Sequence, residues 1–188
     1  MIILVGLGNP GRKFSDTKHN FGFWVLDRFT KNKSLIFQAG KGNYLMVKKR
    51  NLVCIKPTTF MNDSGTSLLD VKQYYKAEPE NFLVVYDDID LPLGTLRFRK
   101  NGGTGGHKGI ESIIYQLQSE NFNRLRIGIA TDDNMRPSEQ YVLSPFQKRD
   151  EETKNKIIEK ACEGIDYYLS HDMKETMNKF NEKETGKD

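Results

Sequence analysis

The sequence predicts an α/β fold: a single three-layer α/β/α domain whose mixed, largely parallel, twisted sheet is covered by helices on both faces. Three observations lead there. The runs Met1–Val5 (MIILV) and Phe82–Tyr86 (FLVVY) are apolar throughout, as in strands buried on both sides. Other stretches alternate apolar and polar residues with period two. These strand-like stretches alternate along the chain with stretches of helical period. No repeat or composition break divides residues 1–180, so one domain is expected there. The charged tail 181–188, NEKETGKD, is apolar-free and expected to fray.

Taken in order, the first strand ends at Gly6, and Gly6–Gly11 reads as a loop. From about Asn20, residues Gly22, Val25, Leu26 and Phe29 recur at helical spacing until Lys31-Asn32-Lys33. Asn43–Lys49 and Leu52–Lys56 read as strands joined by a tight turn at Arg50-Asn51. Pro57–Gly65 is a loop. Leu68, Leu69, Val71, Tyr74 and Tyr75 mark an amphipathic helix that stops before Pro79. Phe82–Tyr86 runs into Asp87-Asp88-Ile89-Asp90 and then LPLG. In Thr95–Lys100, Leu96 and Phe98 face one way, and Thr95, Arg97 and Arg99 the other. Asn101–Gly106 (NGGTGG) is a glycine-rich loop. His107 then opens a helix with Ile110, Ile113, Ile114 and Leu117 as its apolar stripe. A further strand sets Leu125, Ile127 and Ile129 against Arg124 and Arg126. Asp132–Pro137 is a polar loop. Glu151 to about Asn181 is helical in two pieces, broken near His171-Asp172.

The composition excludes some classes. At 37% hydrophobic and 11% aromatic, the 188 residues can bury an ordinary core. No apolar run approaches the roughly 18 residues of a membrane span. The first apolar run lacks a basic leader, so no signal peptide is read and a cytoplasmic location is expected. Cys54 and Cys162 have neither zinc-ligand nor redox-pair spacing and read as reduced, buried thiols. A net charge of +4 permits nucleic-acid binding without requiring it.

Gly6-Leu7-Gly8-Asn9-Pro10-Gly11 matches G-x-G-x-x-G after a strand. A dinucleotide site would need a helix starting at the second glycine. Here Pro10 removes an N–H and the polar loop 12–18 delays the helix. Asp27 also falls inside a helical pattern instead of ending a second strand. The candidate chemistry lies at His19 instead. Asn9, Asn62 and Asp90 all follow strands, and such loops gather at the carboxyl edge of a parallel sheet. A carboxylate beside an imidazole fixes its tautomer and lets it take a proton from water. The asparagines can hold a carbonyl or the water. No nucleophile elbow is present, and His19 alone makes a metal site improbable. His107, after the glycine loop, stands where helix N–H groups can meet a ligand. Arg97, Arg99, Arg124 and Arg126 lie pairwise on strand faces. Alternating charge by default reads as a solvated sheet face, but beside the glycine loop, with Lys100 and Lys108, the four would form a phosphate clamp.

Assembled in order, VGLGNPG (5–11), TKHNFG (17–22), KPTTFMNDSG (56–65), DDIDLPLG (87–94), GGTGGHKG (102–109) and FNRLRIGI (122–129) closely resemble the bacterial-type peptidyl-tRNA hydrolases. The resemblance implies a monomeric, cofactor-free cytoplasmic enzyme that cleaves the ester between a peptide and the terminal ribose of tRNA and recycles tRNA for translation. It implies His19 as general base, Asp90 as the group that orients it, and Asn9 and Asn62 as holders of substrate and water. It implies that Phe14, Asn20, Phe60, Met61, His107 and Lys108 contact substrate, and that Arg99 and Arg126 grip the terminal phosphate at the acceptor end. Three positions depart from the family pattern. Phe14 replaces a tyrosine, Lys18 an arginine, and Lys108 an asparagine whose acceptor lysine cannot supply. The rival readings are an RNA-binding protein on the same scaffold that does no chemistry, and a nucleotide-dependent oxidoreductase.

Overall fold

The computed structural model describes residues 1–181. The strands are β1 (Ile2–Gly6), β2 (Gln38–Ala39), β3 (Tyr44–Lys49), β4 (Leu52–Pro57), β5 (Phe82–Pro92), β6 (Leu96–Arg99) and β7 (Asn123–Ala130). The α-helices are α1 (Phe21–Lys31), α2 (Ser64–Tyr75), α3 (Lys108–Leu117), α4 (Ser138–Val142), α5 (Glu151–Tyr168) and α6 (Met173–Phe180). Among the described residues the strands form one sheet in the order β2-β3-β4-β1-β5-β7-β6. The inner strands β4, β1, β5 and β7 are parallel to one another. The pairs β2–β3, β3–β4 and β6–β7 are antiparallel. The sheet is mixed, as the sequence implies, with parallel pairing confined to its centre and antiparallel pairing towards both edges.

The apolar strands are apolar because both their faces are covered. Leu4, Cys54, Leu83, Val85 and Leu125 pack under α1 and α5 through Phe21, Val25, Ile158 and Ile165. Ile3, Val5, Ile55, Phe82 and Val84 pack on the other face against Leu68 and Val71 of α2 and Ile110 and Ile113 of α3. Each such side chain contributes about 1.5–3 kcal/mol on full burial. Both cysteines are buried within this packing, which pushes each thiol up to about 12. Among the described residues, no helix is long and apolar enough to cross a membrane.

Three boundaries differ from the sequence reading. β5 continues past Tyr86 to Pro92, because its backbone keeps pairing with β7 after the apolar run has ended. The short helix α4 and the two-residue β2 carry too little periodicity to be read. Asn181, read as the first residue of the tail, belongs to the fold. Its Oδ1 accepts from Phe98 N at 2.7 Å and its Nδ2 donates to Phe98 O at 3.0 Å, which occupies the free edge of β6. The expectation of fraying at 182–188 lies outside the described residues.

One close approach fixes the start of α1. A Cβ on Gly22 would stand 2.3 Å from both Leu7 N and Val85 O. Only glycine lets the helix rest against Leu7, just past β1, and Val85 within β5, and this sets the position of the 3₁₀ turn Lys18–Asn20 just before it. Gly22→Ala is therefore expected to lower stability by about 1–3 kcal/mol in urea unfolding. Gly103→Ala, where a Cβ would meet nothing within 4 Å, should change it by less than about 0.5 kcal/mol.

Candidate active site

The chain leaves β1 towards the β4 side of the sheet and leaves β5 towards β7. The crevice between these diverging exits, at the carboxyl ends of the strands, is where α/β sheets place their sites. It opens here into a cleft of about 950 Å³. The loop after β4 walls one side, the glycine loop 101–106 another, and α4 a third.

The structure pairs His19 with Asp87, not Asp90. His19 Nδ1 lies 2.9 Å from both Oδ1 and Oδ2 of Asp87. His107 Nε2 lies 3.1 Å from the same Oδ1. The His19 and His107 rings are 4.8 Å apart, and Tyr86 meets His107 edge-on at 4.9 Å. Burial alone would raise the Asp87 carboxyl, but the two imidazoles outweigh it and hold the group well below the usual carboxylate range. Asp87 is thus an anion, and His19 Nδ1 carries the proton that points at it. Nε2 of His19 is left as the basic atom at the cleft. Asp90 is exposed at the mouth, and its backbone N–H donates to Asp88 Oδ1 at 2.9 Å. The sequence could not separate the acids of DDID because the apolar run ends at Tyr86. Strand alternation, continued one residue, would have put Asp87 on the face of Leu83 and Val85, which α1 covers.

His19, Asp87 and His107 could present three ligand atoms within 4.8 Å of one another. The donor set does not suit a metal. His107 Nδ1 accepts from Gly109 N at 3.1 Å and Ile110 N at 3.3 Å, so its lone pair is committed to α3. Nε2 carries the proton, and the cluster is a hydrogen-bond network.

Asn9 lines the cleft in a fixed orientation. Its Oδ1 accepts from Met61 N at 2.8 Å, which turns its Nδ2 donors to the cleft. Asn20, expected to contact substrate, is buried and clasps the Asn9 backbone instead. Asn9 N donates to Asn20 Oδ1 at 2.7 Å, and Asn20 Nδ2 donates to Asn9 O at 3.0 Å. Asn62 and Met61 line the cleft. Phe14 and Phe60 meet edge-on at 6.1 Å on its rim, giving that end an apolar lip. Lys108 lines it too, exposed and paired with Glu111 Oε2 at 3.1 Å.

The clamp of arginines is only partly available. Antiparallel pairing sets Arg97 opposite Arg126 and Arg99 opposite Arg124. Arg124 is 2% exposed and is used internally. It donates to Gly103 O at 2.6 Å and to Gly102 O, and it lies over the Phe122 ring at 4.3 Å. Arg126 Nε donates to Asp88, and that pairing outweighs burial in raising its pKa. Arg99 is exposed at the cleft. Sequence reasoning missed the wall made by α4, including Glu139 and Val142, since five residues show no readable period. Lys18 ties that wall to the turn that carries His19. Its Nζ donates to Pro145 O at 2.7 Å and Ser144 Oγ at 2.9 Å beneath the rings of Tyr141 and Phe146, and this burial lowers its pKa.

A doubly wound sheet with an acid-supported histidine and an oriented amide at its switch point is the kind of site that α/β enzymes carry. The chain belongs to the peptidyl-tRNA hydrolase family, whose model matches residues 3–188. It is 40% identical over 185 residues to the peptidyl-tRNA hydrolase of Alkaliphilus oremlandii, covering 96% of this chain and 100% of that one. It is 45% identical over 170 residues to that of a Hydrogenobaculum species, covering 85% and 86%. The crystal structure of the Acinetobacter baumannii enzyme superposes with a TM-score of 0.87 at 28% identity, covering 96% of this chain and 94% of that one.

The position of Arg124 has a measurable consequence. Arg124→Met should free the Gly102 and Gly103 carbonyls and lower stability by about 1–3 kcal/mol. Hydrogen–deuterium exchange across residues 101–106 should accelerate; unchanged exchange there would show that Arg124 does not hold the loop.

Proposed function

We propose that this protein hydrolyses the ester joining a peptide, or another N-blocked aminoacyl group, to the terminal ribose of tRNA. It acts as a cytoplasmic monomer and uses neither metal nor cofactor. The observation that carries the reading is His19 Nδ1 at 2.9 Å from both oxygens of the buried Asp87 carboxylate. This leaves a base at a cleft with no thiol or activated hydroxyl to act as nucleophile among its described walls.

The chemistry follows from these groups. His19 Nε2 takes a proton from water as the oxygen attacks the ester carbonyl carbon. Asp87 stabilises the imidazolium that forms. Asn9 Nδ2 donates to the carbonyl oxygen as it gains charge, and Asn62 is placed to hold the water. The carbon–oxygen bond to the ribose then breaks, and His19 returns its proton to the ribose oxygen. The products are a free tRNA hydroxyl and a carboxylic acid. The cleft is asymmetric in a way that suits such a substrate. Phe14, Phe60 and Met61 offer apolar surface at one end, while Arg99, Lys108 and the glycine loop offer cations and backbone N–H groups for phosphate at another. A pure RNA binder would have no use for a buried carboxylate aimed at a histidine, and no feature of the site favours that reading.

Release of tRNA from N-blocked aminoacyl-tRNA tests the proposal directly. His19→Ala is expected to abolish nearly all turnover with the fold intact. Asp87→Asn should cost about 10²–10⁴ in kcat, whereas Asp90→Asn should stay near wild type. Equal losses for the two aspartates would restore Asp90 to the machinery. Binding gives a second check. Arg99→Gln should reduce the slope of log affinity against log salt by roughly 0.7, and Arg126→Gln by less, because Asp88 already neutralises part of its charge. The reverse order would place the phosphate on Arg126.

A further inference from the structure

His107 sits at the N-cap of α3, where the first N–H groups of the helix have no partner inside it. Its Nδ1 accepts two of them, from Gly109 and Ile110. A proton on Nδ1 would face two N–H donors and the positive end of a ten-residue helix. The ring's single proton therefore sits on Nε2, where it meets Asp87 Oδ1. Tyr86 and His19 pack against the ring at 4.9 and 4.8 Å.

We infer that His107 is a positioning residue: locked by α3 in its Nε2–H tautomer, it takes a fixed share of the Asp87 charge and so sets the pH above which His19 works as a base. The inference rests on the reading of His19 as the base. Asp87 Oδ1 is the shared atom, with donors from both imidazoles, while Oδ2 serves His19 alone. A carboxylate that gives part of its charge to a second N–H holds a protonated His19 less tightly. A base must be free to act, so the second donor extends the range of pH over which His19 is ready.

The other charged groups around the pair are paired with one another or exposed at the cleft, as Asp90 and Arg136 are. On β5, Asp88 pairs with Arg126 of β7, and Tyr86 receives a hydrogen bond from Arg124. Arg124 is otherwise spent on the glycine loop. Lys108 of α3 pairs with Glu111. Lys18, beside His19, points away to Ser144 and Pro145. Glu139 of α4 is exposed on the far wall, and Arg99 of β6 is exposed at the cleft. Asp87 is the carboxylate in contact with His19, so a change in its sharing should be read at His19.

Two substitutions separate the two edges of the ring. His107→Asn puts an amide oxygen near the place of Nδ1, keeping the helix cap and losing the donor to Asp87. His107→Gln puts an amide nitrogen near the place of Nε2, keeping the donor and losing the cap. In kcat/KM against pH for N-blocked aminoacyl-tRNA, H107N is expected to move the acid limb up by about 1 unit. H107Q should keep the wild-type limb with a lower Tm. A wild-type limb in H107N, with activity reduced equally at every pH, would overturn the inference and leave His107 a structural cap. Long-range proton–nitrogen NMR of the wild-type chain gives a reading without turnover. His107 should show a bare Nδ1 and a protonated Nε2 across the range in which the His19 signals move. A second proton on His107 in that range would also overturn it. A wild-type chain with the expected spectra that released no tRNA would overturn the hydrolase reading alone.

Discussion

The carboxylate of Asp87 is the constraint on which the rest of the site depends. It is 2% exposed, and an ion so placed is tolerated only where donors replace its water. Its donors come from two separate parts of the chain, the turn before α1 and the N-cap of α3. Each must therefore arrive at the end of β5 within hydrogen-bond distance. Gly22 lets α1 sit close enough to bring His19 in. The unpaired N–H groups of α3 fix the orientation of His107. β5 has to continue beyond its apolar run to carry the carboxylate to the edge of the sheet. A single buried charge thus explains an intolerant glycine, a histidine cap and an extended strand.

The same accounting separates the cations. Sequence alternation makes Arg97, Arg99, Arg124 and Arg126 look alike, but their surroundings give them different work. Arg124 has exchanged water for two glycine carbonyls and an aromatic face, and it shapes the loop beside the cleft. Arg126 is joined to Asp88. Arg99 keeps its exposure at the cleft. A polyanion approaching this surface meets a field set by all four, but the most accessible contact is with Arg99. Asn20 shows the same division of labour among neutral groups. It holds the backbone of Asn9, so that the Asn9 side chain, clamped by Met61 N, can offer donors to a ligand.

Much of this was legible in the residues. The all-apolar runs at Met1–Val5 and Phe82–Tyr86 announced strands covered on both faces, and the period-two stretches placed Phe98 and Leu125 inward. Pro10 and the delayed helix excluded a dinucleotide loop. His19, Asn9, Met61, Asn62 and His107 do come together in one cleft, along with Phe14, Phe60 and Lys108. What failed to show was partner choice among polar groups. Asp90 was read for Asp87, Asn20 was read as facing substrate, Arg126 was read in a phosphate clamp without its pairing to Asp88, and Asn181 was assigned to a tail although it ties down β6.

The sequence by itself therefore determined the α/β layering, the order of its elements and the types of side chain brought to the sheet edge. Hydrophobic period reports which face of an element is covered, and glycine and proline report where the backbone must turn. The tertiary structure alone decided which carboxylate meets His19, which nitrogen of His107 holds a proton and which arginine remains exposed. Those outcomes depend on hydrogen bonds spanning 68 residues from His19 to Asp87 and 20 from Asp87 to His107. Such bonds have no local period. They are set by where two strands end and how closely one helix can approach them.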